Sequence, residues 1–140
     1  MEKRPRVMVV DDDNDLLELI SRMLHLKGYD VSLTSDSTSA LALMDECRPD
    51  LVLLDITMPH LDGFQLLYLI RQRSGVPVIM LTVDSEVTSL EKALLLGADD
   101  YIKKPFGMQV LMARIQAKLR RAQKGFTACR KRHDMVVWAQ

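Results

Sequence analysis

Short apolar runs alternate with helical patterns along most of the chain. The apolar runs cover residues 6–10, 29–33, 51–54, 76–81 and 101–102. The third and fourth runs are apolar at every position, which is typical of strands that are covered on both faces. The pattern therefore predicts five strands of a parallel sheet.

Apolar positions at helical spacing separate these runs and predict five helices. The helices fall within residues 16–24, 38–47, 64–70, 87–95 and 110–119. Asp13 or Asn14 is the candidate N-cap of the first helix, and Gly28 is its candidate end. A repeated strand–helix unit implies right-handed crossovers and helices on both faces of the sheet. Ligands of such sheets bind outside the carboxyl ends of the strands, so the residues that follow each strand are the candidates for chemistry.

The composition argues for a globular domain, with 48% hydrophobic and 27% charged residues. Because 19 basic residues balance 19 acidic ones, the net charge gives no reason to expect non-specific binding to nucleic acid or to a membrane. No signal peptide or apolar run of roughly 18 residues is present. Cys47 and Cys129 form no close metal-type pair, so we expect free thiols and a cytoplasmic location.

Chemically distinctive side chains follow four of the predicted strands. They are Asp11, Asp12 and Asp13 after the first, Asp55 after the third, Thr82 after the fourth and Lys104 after the fifth. Clustered carboxylates repel one another, and a divalent cation with hard oxygen ligands, such as Mg²⁺, relieves the repulsion. A carboxylate beside such a cation, an ammonium group and a hydroxyl group can accept a phosphoryl group as an acyl phosphate.

Several ordered motifs carry a family resemblance. They are Val9-Val10-Asp11-Asp12-Asp13, Leu53-Leu54-Asp55-Ile56-Thr57-Met58-Pro59, Leu61-Asp62-Gly63, Met80-Leu81-Thr82 and the stretch 97–106. With these motifs the chain resembles the receiver domain of bacterial two-component response regulators. The resemblance implies an α/β, flavodoxin-like fold: a (βα)5 doubly wound, five-stranded parallel sheet. We interpret residues 1–123 as this domain and residues 124–140 as a linker or the truncated start of an effector domain.

The resemblance also assigns roles in phosphoryl transfer. Asp55 would accept a phosphoryl group from a sensor histidine kinase. Asp12 and Asp55 would bind Mg²⁺ directly, Asp11 would bind it through water, and the backbone carbonyl of Thr57 would complete the metal's shell. The domain would catalyse only its own phosphorylation and dephosphorylation, so we do not expect an enzyme.

A second set of roles concerns the response to phosphorylation. The resemblance implies that Lys104 pairs with the phosphoryl group and that the peptide bond between Lys104 and Pro105 is cis. Thr82 and Tyr101 match the pair that transmits the switch. The surface that responds consists of the fourth helix, the fifth strand and the fifth helix.

The stretches 99–102 and 111–115 resemble the winged-helix (OmpR/PhoB-like) branch, whose members dimerise through that surface when phosphorylated. The residues that match the dimer face are Asp99, Asp100, Arg114, Arg121, Leu90 and Val110. Leu90 and Val110 stand where an arginine and a glutamate are typical, so an apolar contact or a weakened dimer is expected; the other interpretation is a solvated charged face. DNA would be bound only through an effector domain that is absent from this chain.

Two positions depart from the common pattern, because Val83 and Asp84 follow the switch threonine. Either could alter the lifetime of the phosphoryl group.

Among rival functions, a phosphohydrolase of the haloacid-dehalogenase type needs an acid where Thr57 stands. A flavin or nucleotide module needs a phosphate loop where three acids stand. A receiver that never takes phosphate, and a stand-alone receiver that acts through protein contacts, are the remaining alternatives.

Overall fold

The computed structural model describes the backbone of residues 4–83 and 87–131 and the side chains of residues 4–83 and 89–122. Asp84, one of the two departures from the family pattern, lies outside these residues. The strands are β1 (Arg6–Val10), β2 (Asp30–Thr34), β3 (Leu51–Asp55), β4 (Val78–Thr82) and β5 (Asp100–Lys103). The helices are α1 (Asn14–Leu26), α2 (Ala40–Cys47), α3 (Gly63–Arg71), α4 (Val87–Leu95) and α5 (Met108–Lys131). A short 3-10 turn, Ser37–Ser39, precedes α2.

All strand pairs are parallel, and the strand order is β2-β1-β3-β4-β5. Strands β3 and β4 are buried at every position, which explains their unbroken apolar sequences. Alternate strand residues point to opposite faces. One face packs against α1 and α5, and the other packs against α2, α3 and α4. The predicted (βα)5 doubly wound parallel sheet is therefore confirmed.

Local signals set the ends of the first helix. The Asp13 carboxylate accepts hydrogen bonds from the backbone N–H groups of Asp15 and Leu16, so Asp13 is the N-cap. Gly28 adopts a φ of +88° just after the helix, a conformation that glycine reaches without steric cost. Both sequence-based expectations for α1 are confirmed.

The fifth helix is longer than the sequence pattern suggested. We expected the helix to end near Gln123 and the chain to continue as a linker, but α5 extends to Lys131. Gly125 costs a helix only about 1 kcal/mol relative to alanine, and its neighbours Ala122, Gln123 and Lys124 favour helix. Residues 124–131 are therefore helical, the assignment of residues 124–140 to a linker or to the start of an effector domain stays a prediction, and residues 132–140 lie outside the described part of the chain. Within that part, no helix has the length and apolar character needed to cross a bilayer.

The guanidinium group of Arg71 holds the end of the sheet opposite to the predicted site. It donates to the carbonyl of Gly97 through Nε and Nη2, at 3.0 and 2.8 Å, and to the carbonyl of Val76 at 2.7 Å. Its Nη2 also lies 2.9 Å from the Asp99 carboxylate, which in turn accepts from the N–H of Val78. Arg71 therefore joins the end of α3 to the start of β4 and to the turn before β5.

Candidate functional site

The register of the sheet brings the predicted residues to one edge. Val10 pairs with Leu54, so Asp11 and Asp55 follow at the ends of adjacent strands. On the other side of β3, Thr82 pairs with Lys103, the residue before Lys104. The strand–helix periodicity of the sequence predicted that these residues meet at one edge of the sheet, and the structure places them there.

Three carboxylates form the centre of this edge. One oxygen from each of Asp11, Asp12 and Asp55 lies within 4.8 Å of the others. Asp11 is fully buried and Asp55 is 4% exposed, whereas Asp12 is exposed. Charges buried this close together need a compensating cation. A set of hard oxygen donors with one side open to solvent fits Mg²⁺.

A single ammonium group reaches both buried acids. Lys104 Nζ lies 2.7 Å from Asp11 Oδ2 and 3.6 Å from Asp55 Oδ1. Burial lowers the pKa of Lys104, but the hydrogen bond and charge of Asp11, with the charge of Asp55, outweigh it, so the pKa is raised. The peptide bond from Lys104 to Pro105 is cis, as expected. The Lys104 N–H also donates to the carbonyl of Thr82 at 2.6 Å, which fixes the loop beside β4.

The Asp55 carboxyl group has an unusual affinity for protons. Burial raises the pKa of Asp55 from 3.8 to about 7, and the nearby charge of Asp11 adds to the rise. The charge of Lys104 and the N–H of Thr57 oppose the rise, and Asp12 adds a smaller increase. One ammonium group thus does not neutralise the cluster, which is the condition that a bound divalent cation would relieve.

Backbone groups fix the two buried carboxylates. The N–H of Asp13 donates to Asp11 Oδ1 at 3.0 Å, and the N–H of Thr57 donates to Asp55 Oδ1 at 3.3 Å. Thr57 is therefore adjacent to the cluster, but its expected role as a carbonyl ligand remains a prediction. Asp62 is the N-cap of α3 and forms a capping box with Gln65, so it serves the start of a helix.

Two residues match the family's switch pair. Thr82 is fully buried at the end of β4. Tyr101 is partly buried in β5, where it packs against the core on the side of α2, α3 and α4 and pairs in register with Met80. Val83 follows Thr82 and is 67% exposed. The positions of Thr82 and Tyr101 at neighbouring strands suit the switching role, which remains a prediction.

The expected dimer face has a mixed character. Arg114 pairs with Asp100 of its own chain at 2.7 Å, and Asp99 is engaged by Arg71. In contrast, Leu90 is 36% exposed and Val110 is 49% exposed, and Arg121 is exposed. Within one chain, Asp99 and Asp100, which the resemblance assigns to a dimer contact, already pair with Arg71 and Arg114. The apolar side chains of Leu90 and Val110 are exposed to solvent.

Two polar residues that hold loops next to the sheet, Arg71 and Ser37, were not identified from the sequence. Arg71 anchors the turn that carries Asp99, and no sequence signal marked it, because its partners, which include the carbonyl of Gly97 and the carboxylate of Asp99, lie 26 and 28 residues away in sequence. Ser37 is 2% exposed and bonds to the loop after β3. A serine in a polar turn is common, so its burial could not be read from the sequence.

Comparison with known proteins gives relatives of this chain. The family model for the response regulator receiver domain matches residues 7–116. The DNA-binding response regulator MtrA of Mycobacterium tuberculosis is 44% identical over 118 residues, which cover 84% of this chain and 52% of MtrA. The transcriptional regulatory protein PrrA of Mycobacterium leprae is 43% identical over 134 residues, which cover 95% of this chain and 57% of PrrA. The chain thus spans about half the length of these relatives.

Solved structures of receiver domains have the same fold as this chain. A CheY-like receiver domain protein from Methanospirillum hungatei superposes with a TM-score of 0.84 at 31% identity, covering 88% of this chain and 99% of that one. The BeF3-activated receiver domain of Klebsiella pneumoniae RstA gives a TM-score of 0.79 at 33% identity, covering 82% and 98%. MtrA and PrrA fit the OmpR/PhoB-like branch that the motifs indicated. The chain therefore belongs to the response regulator receiver family, and its fold is that of the solved receiver domains.

Proposed function

We propose that Asp55 accepts a phosphoryl group from a sensor histidine kinase in a Mg²⁺-dependent reaction. One observation carries this proposal: the buried Asp55 carboxylate lies among Asp11 and Asp12, within 4.8 Å, and 3.6 Å from Lys104. This set supplies a nucleophile, a cation site and a counter-charge at one place. Such a combination is what phosphoryl transfer to a carboxylate requires.

The chemistry follows from the side chains. An Asp55 carboxylate oxygen attacks the phosphorus atom, and the bond between phosphorus and the donor's imidazole nitrogen breaks, which leaves an acyl phosphate and a free imidazole. Lys104 keeps its positive charge at neutral pH although it is partly buried, because Asp11 and Asp55 raise its pKa more than burial lowers it. It offsets charge on the phosphoryl oxygens, an electrostatic role in a partly dehydrated site. When bound, Mg²⁺ would neutralise the acids and the equatorial phosphoryl oxygens.

The residues that would hold the metal are those at the open side of the cluster. Asp12 and Asp55 would bind it directly, Asp11 would bind it through water, and the Thr57 carbonyl would supply a further oxygen. Mg²⁺ keeps several waters in such sites, so a few protein oxygens suffice. The proposed metal is therefore a cofactor of the domain's own phosphorylation and dephosphorylation and does not imply turnover of an external substrate.

Phosphorylation of Asp55 would act by changing the conformation of one surface of the domain. A phosphoryl group adds about −1.5 to −2 charge next to Thr82, which biases Thr82 and Tyr101 and, through them, the face formed by α4, β5 and α5. Relatives such as the DNA-binding response regulator MtrA support control of transcription through an effector domain outside this chain, in the cytoplasm. A stand-alone receiver that acts by protein contacts is the alternative.

The direct test is the mass of the intact chain after incubation with acetyl phosphate and Mg²⁺. The parent should gain one phosphoryl group, about 80 Da, and chelation of Mg²⁺ should prevent the gain. Asp55→Asn should gain nothing, because the amide is not a nucleophile, whereas the control Asp30→Asn, an exposed acid at the start of β2, should behave as the parent does. A parent that stays unmodified, or an Asp55→Asn variant that is modified, would contradict the proposal.

We further propose that the phosphorylated chain forms a two-fold dimer through α4, β5 and α5. Apolar Leu90 and Val110 would meet across the axis, while Asp100–Arg114 and Arg121 would surround them. Burial of an apolar side chain contributes more than an exposed ion pair. The dissociation constant of the dimer should therefore change little when the salt concentration rises from about 50 to 500 mM, a range over which exposed charges become screened.

A charged substitution in this apolar contact should weaken the dimer. Leu90→Glu is expected to raise the dimer dissociation constant about tenfold or more, since about 1.4 kcal/mol corresponds to one decade. Sedimentation of the phosphorylated chain measures the effect. Leu26→Glu, an equally drastic change at an exposed leucine of α1, is the matched control and should leave the constant unchanged. Equal effects of the two variants would argue against this face.

A further inference from the structure

The loop between β3 and α3 is held by a side chain from a different part of the chain. Ser37, in the turn after β2, is 2% exposed. Its hydroxyl donates to the carbonyl of Pro59 at 3.0 Å and accepts from the N–H of Leu61 at 3.2 Å. One hydroxyl group thus satisfies two backbone groups more than twenty positions away in sequence.

The two bonded residues flank a position with an unfavourable backbone. His60 has a φ of +70°, in the left-handed region that costs a side-chain-bearing residue free energy. Pro59 and Leu61 stand on either side of it, so the Ser37 hydroxyl clamps the chain across the strained residue. Such strain persists only where the surroundings hold the backbone in place.

The same loop carries the residue expected to complete the metal site. Thr57 lies between the acceptor Asp55 and the clamped segment, and its N–H already bonds to Asp55 Oδ1. The loop is also attached by the bond from the Ile56 N–H to the Leu81 carbonyl at 3.0 Å, by the bond from the Gly63 N–H to the Ile56 carbonyl at 2.7 Å and by the buried side chains of Ile56 and Met58. Ser37 is the side-chain clamp at the outer end of the loop.

We propose that Ser37 is a positioning residue, whose hydroxyl holds the loop at 57–61 in the conformation that presents the Thr57 carbonyl for Mg²⁺. The inference rests on the proposed function, because it assumes that the acidic cluster takes up Mg²⁺. Ser37 does not touch the reacting atoms, and it acts only through the backbone of the loop. Its loss should therefore weaken metal binding more than it slows transfer once metal is bound.

The test compares the parent chain with Ser37→Ala and with Ser39→Ala. Ser39 lies in the same turn, but its hydroxyl bonds only to Asp36 among the described contacts, so it is a matched control. Titration calorimetry should show an Mg²⁺ dissociation constant about five- to tenfold higher for Ser37→Ala and unchanged for Ser39→Ala. Phosphorylation by acetyl phosphate should need correspondingly more Mg²⁺, while the rate at saturating Mg²⁺ stays within about twofold of the parent rate.

A measurement without metal separates the clamp from the metal site. In the absence of Mg²⁺, the N–H of Leu61 should exchange with solvent at least tenfold faster in Ser37→Ala, while amides of β1 and β3 keep their protection. An unchanged Leu61 exchange rate, or an unchanged Mg²⁺ constant, overturns the inference, as does a rate loss that saturating Mg²⁺ does not restore. A parent that binds no Mg²⁺ and takes no phosphoryl group would instead reject the proposed function, and this inference with it.

Discussion

Replacing Gly63 with alanine is expected to lower the free energy of unfolding by at least about 3 kcal/mol, in the range of severe overpacking. A Cβ atom at this position would lie 2.3 Å from the carbonyl oxygen of Asp55 and 2.5 Å from the Cα of Ile56. Both are backbone atoms, so no side chain can rotate away. The helix α3 or the end of β3 must move.

The consequence reaches the site, because the displaced backbone carries Asp55 and leads into Thr57. Gly63→Ala should therefore also reduce phosphorylation by acetyl phosphate, even at temperatures where the variant is folded. Urea unfolding followed by circular dichroism gives the stability, and intact mass gives the phosphorylation.

Gly75→Ala is the matched control for this prediction. Gly75 is exposed, has no positive φ, and has no atom within 4 Å of an added Cβ. Its substitution should change the free energy of unfolding by less than about 1 kcal/mol, and a lower entropy of the unfolded chain can make the change stabilising. If Gly63→Ala and Gly75→Ala unfolded at similar urea concentrations, the close approach of α3 to β3 at Gly63 would not contribute to the stability of the fold.

The sequence could predict the fold and the composition of the site for one physical reason. Strands that are apolar on both faces occur where helices cover both faces, and right-handed crossovers then bring the carboxyl ends of all strands to one edge. Once the runs 6–10 and 51–54 were identified as strands, Asp11 and Asp55 were expected at the same edge, and the pairing of β1 with β3 makes them neighbours. Lys104 and Thr82 followed from the same rule.

Other features depended on contacts that no local pattern records. Ser37 and Arg71 bond to backbone atoms that are 22 to 26 residues away in sequence, and a backbone carbonyl gives no sequence signal. The length of α5 was underestimated because the apolar positions at helical spacing end at residue 119, although the helix continues through Gly125, which a helix tolerates. The pattern was informative for strand ends and for local contacts such as the Asp13 cap, and it was not informative for contacts between segments far apart in sequence.

At pH 8 and without divalent metal, Asp55→Asn is expected to be more stable than the parent, on the order of 3 kcal/mol. Burial and the charge of Asp11 raise the pKa of Asp55 to about 7, against 3.8 for an ordinary aspartate. Between about pH 4 and 7 the folded chain therefore holds a proton on Asp55 that the unfolded chain has released, and above pH 7 the folded chain carries the buried, unfavourable charge. The stability of the parent should fall as pH rises from about 4 to 7 and should level off above 7, whereas an asparagine at this position cannot ionise.

The pH dependence of that difference is the diagnostic result. Thermal unfolding with a chelator should give nearly equal melting temperatures for the two chains at pH 4, and a gap of roughly 10 °C at pH 8. Asp12→Asn, which removes an exposed carboxylate of the same cluster, should give a smaller gap.

Magnesium should act in the opposite direction, because a ligand that binds only the folded chain stabilises it by about 1.4 kcal/mol for each tenfold excess over its dissociation constant. Adding Mg²⁺ at pH 8 should therefore narrow the gap between the parent and Asp55→Asn, since the ionised carboxylate of the parent is a ligand and the amide is a weaker one. A gap that is independent of pH would mean that Asp55 is ionised throughout in the folded chain. A gap that depends on pH but not on Mg²⁺ would instead mean that the cluster of Asp11, Asp12 and Asp55 is strained for a reason other than metal binding.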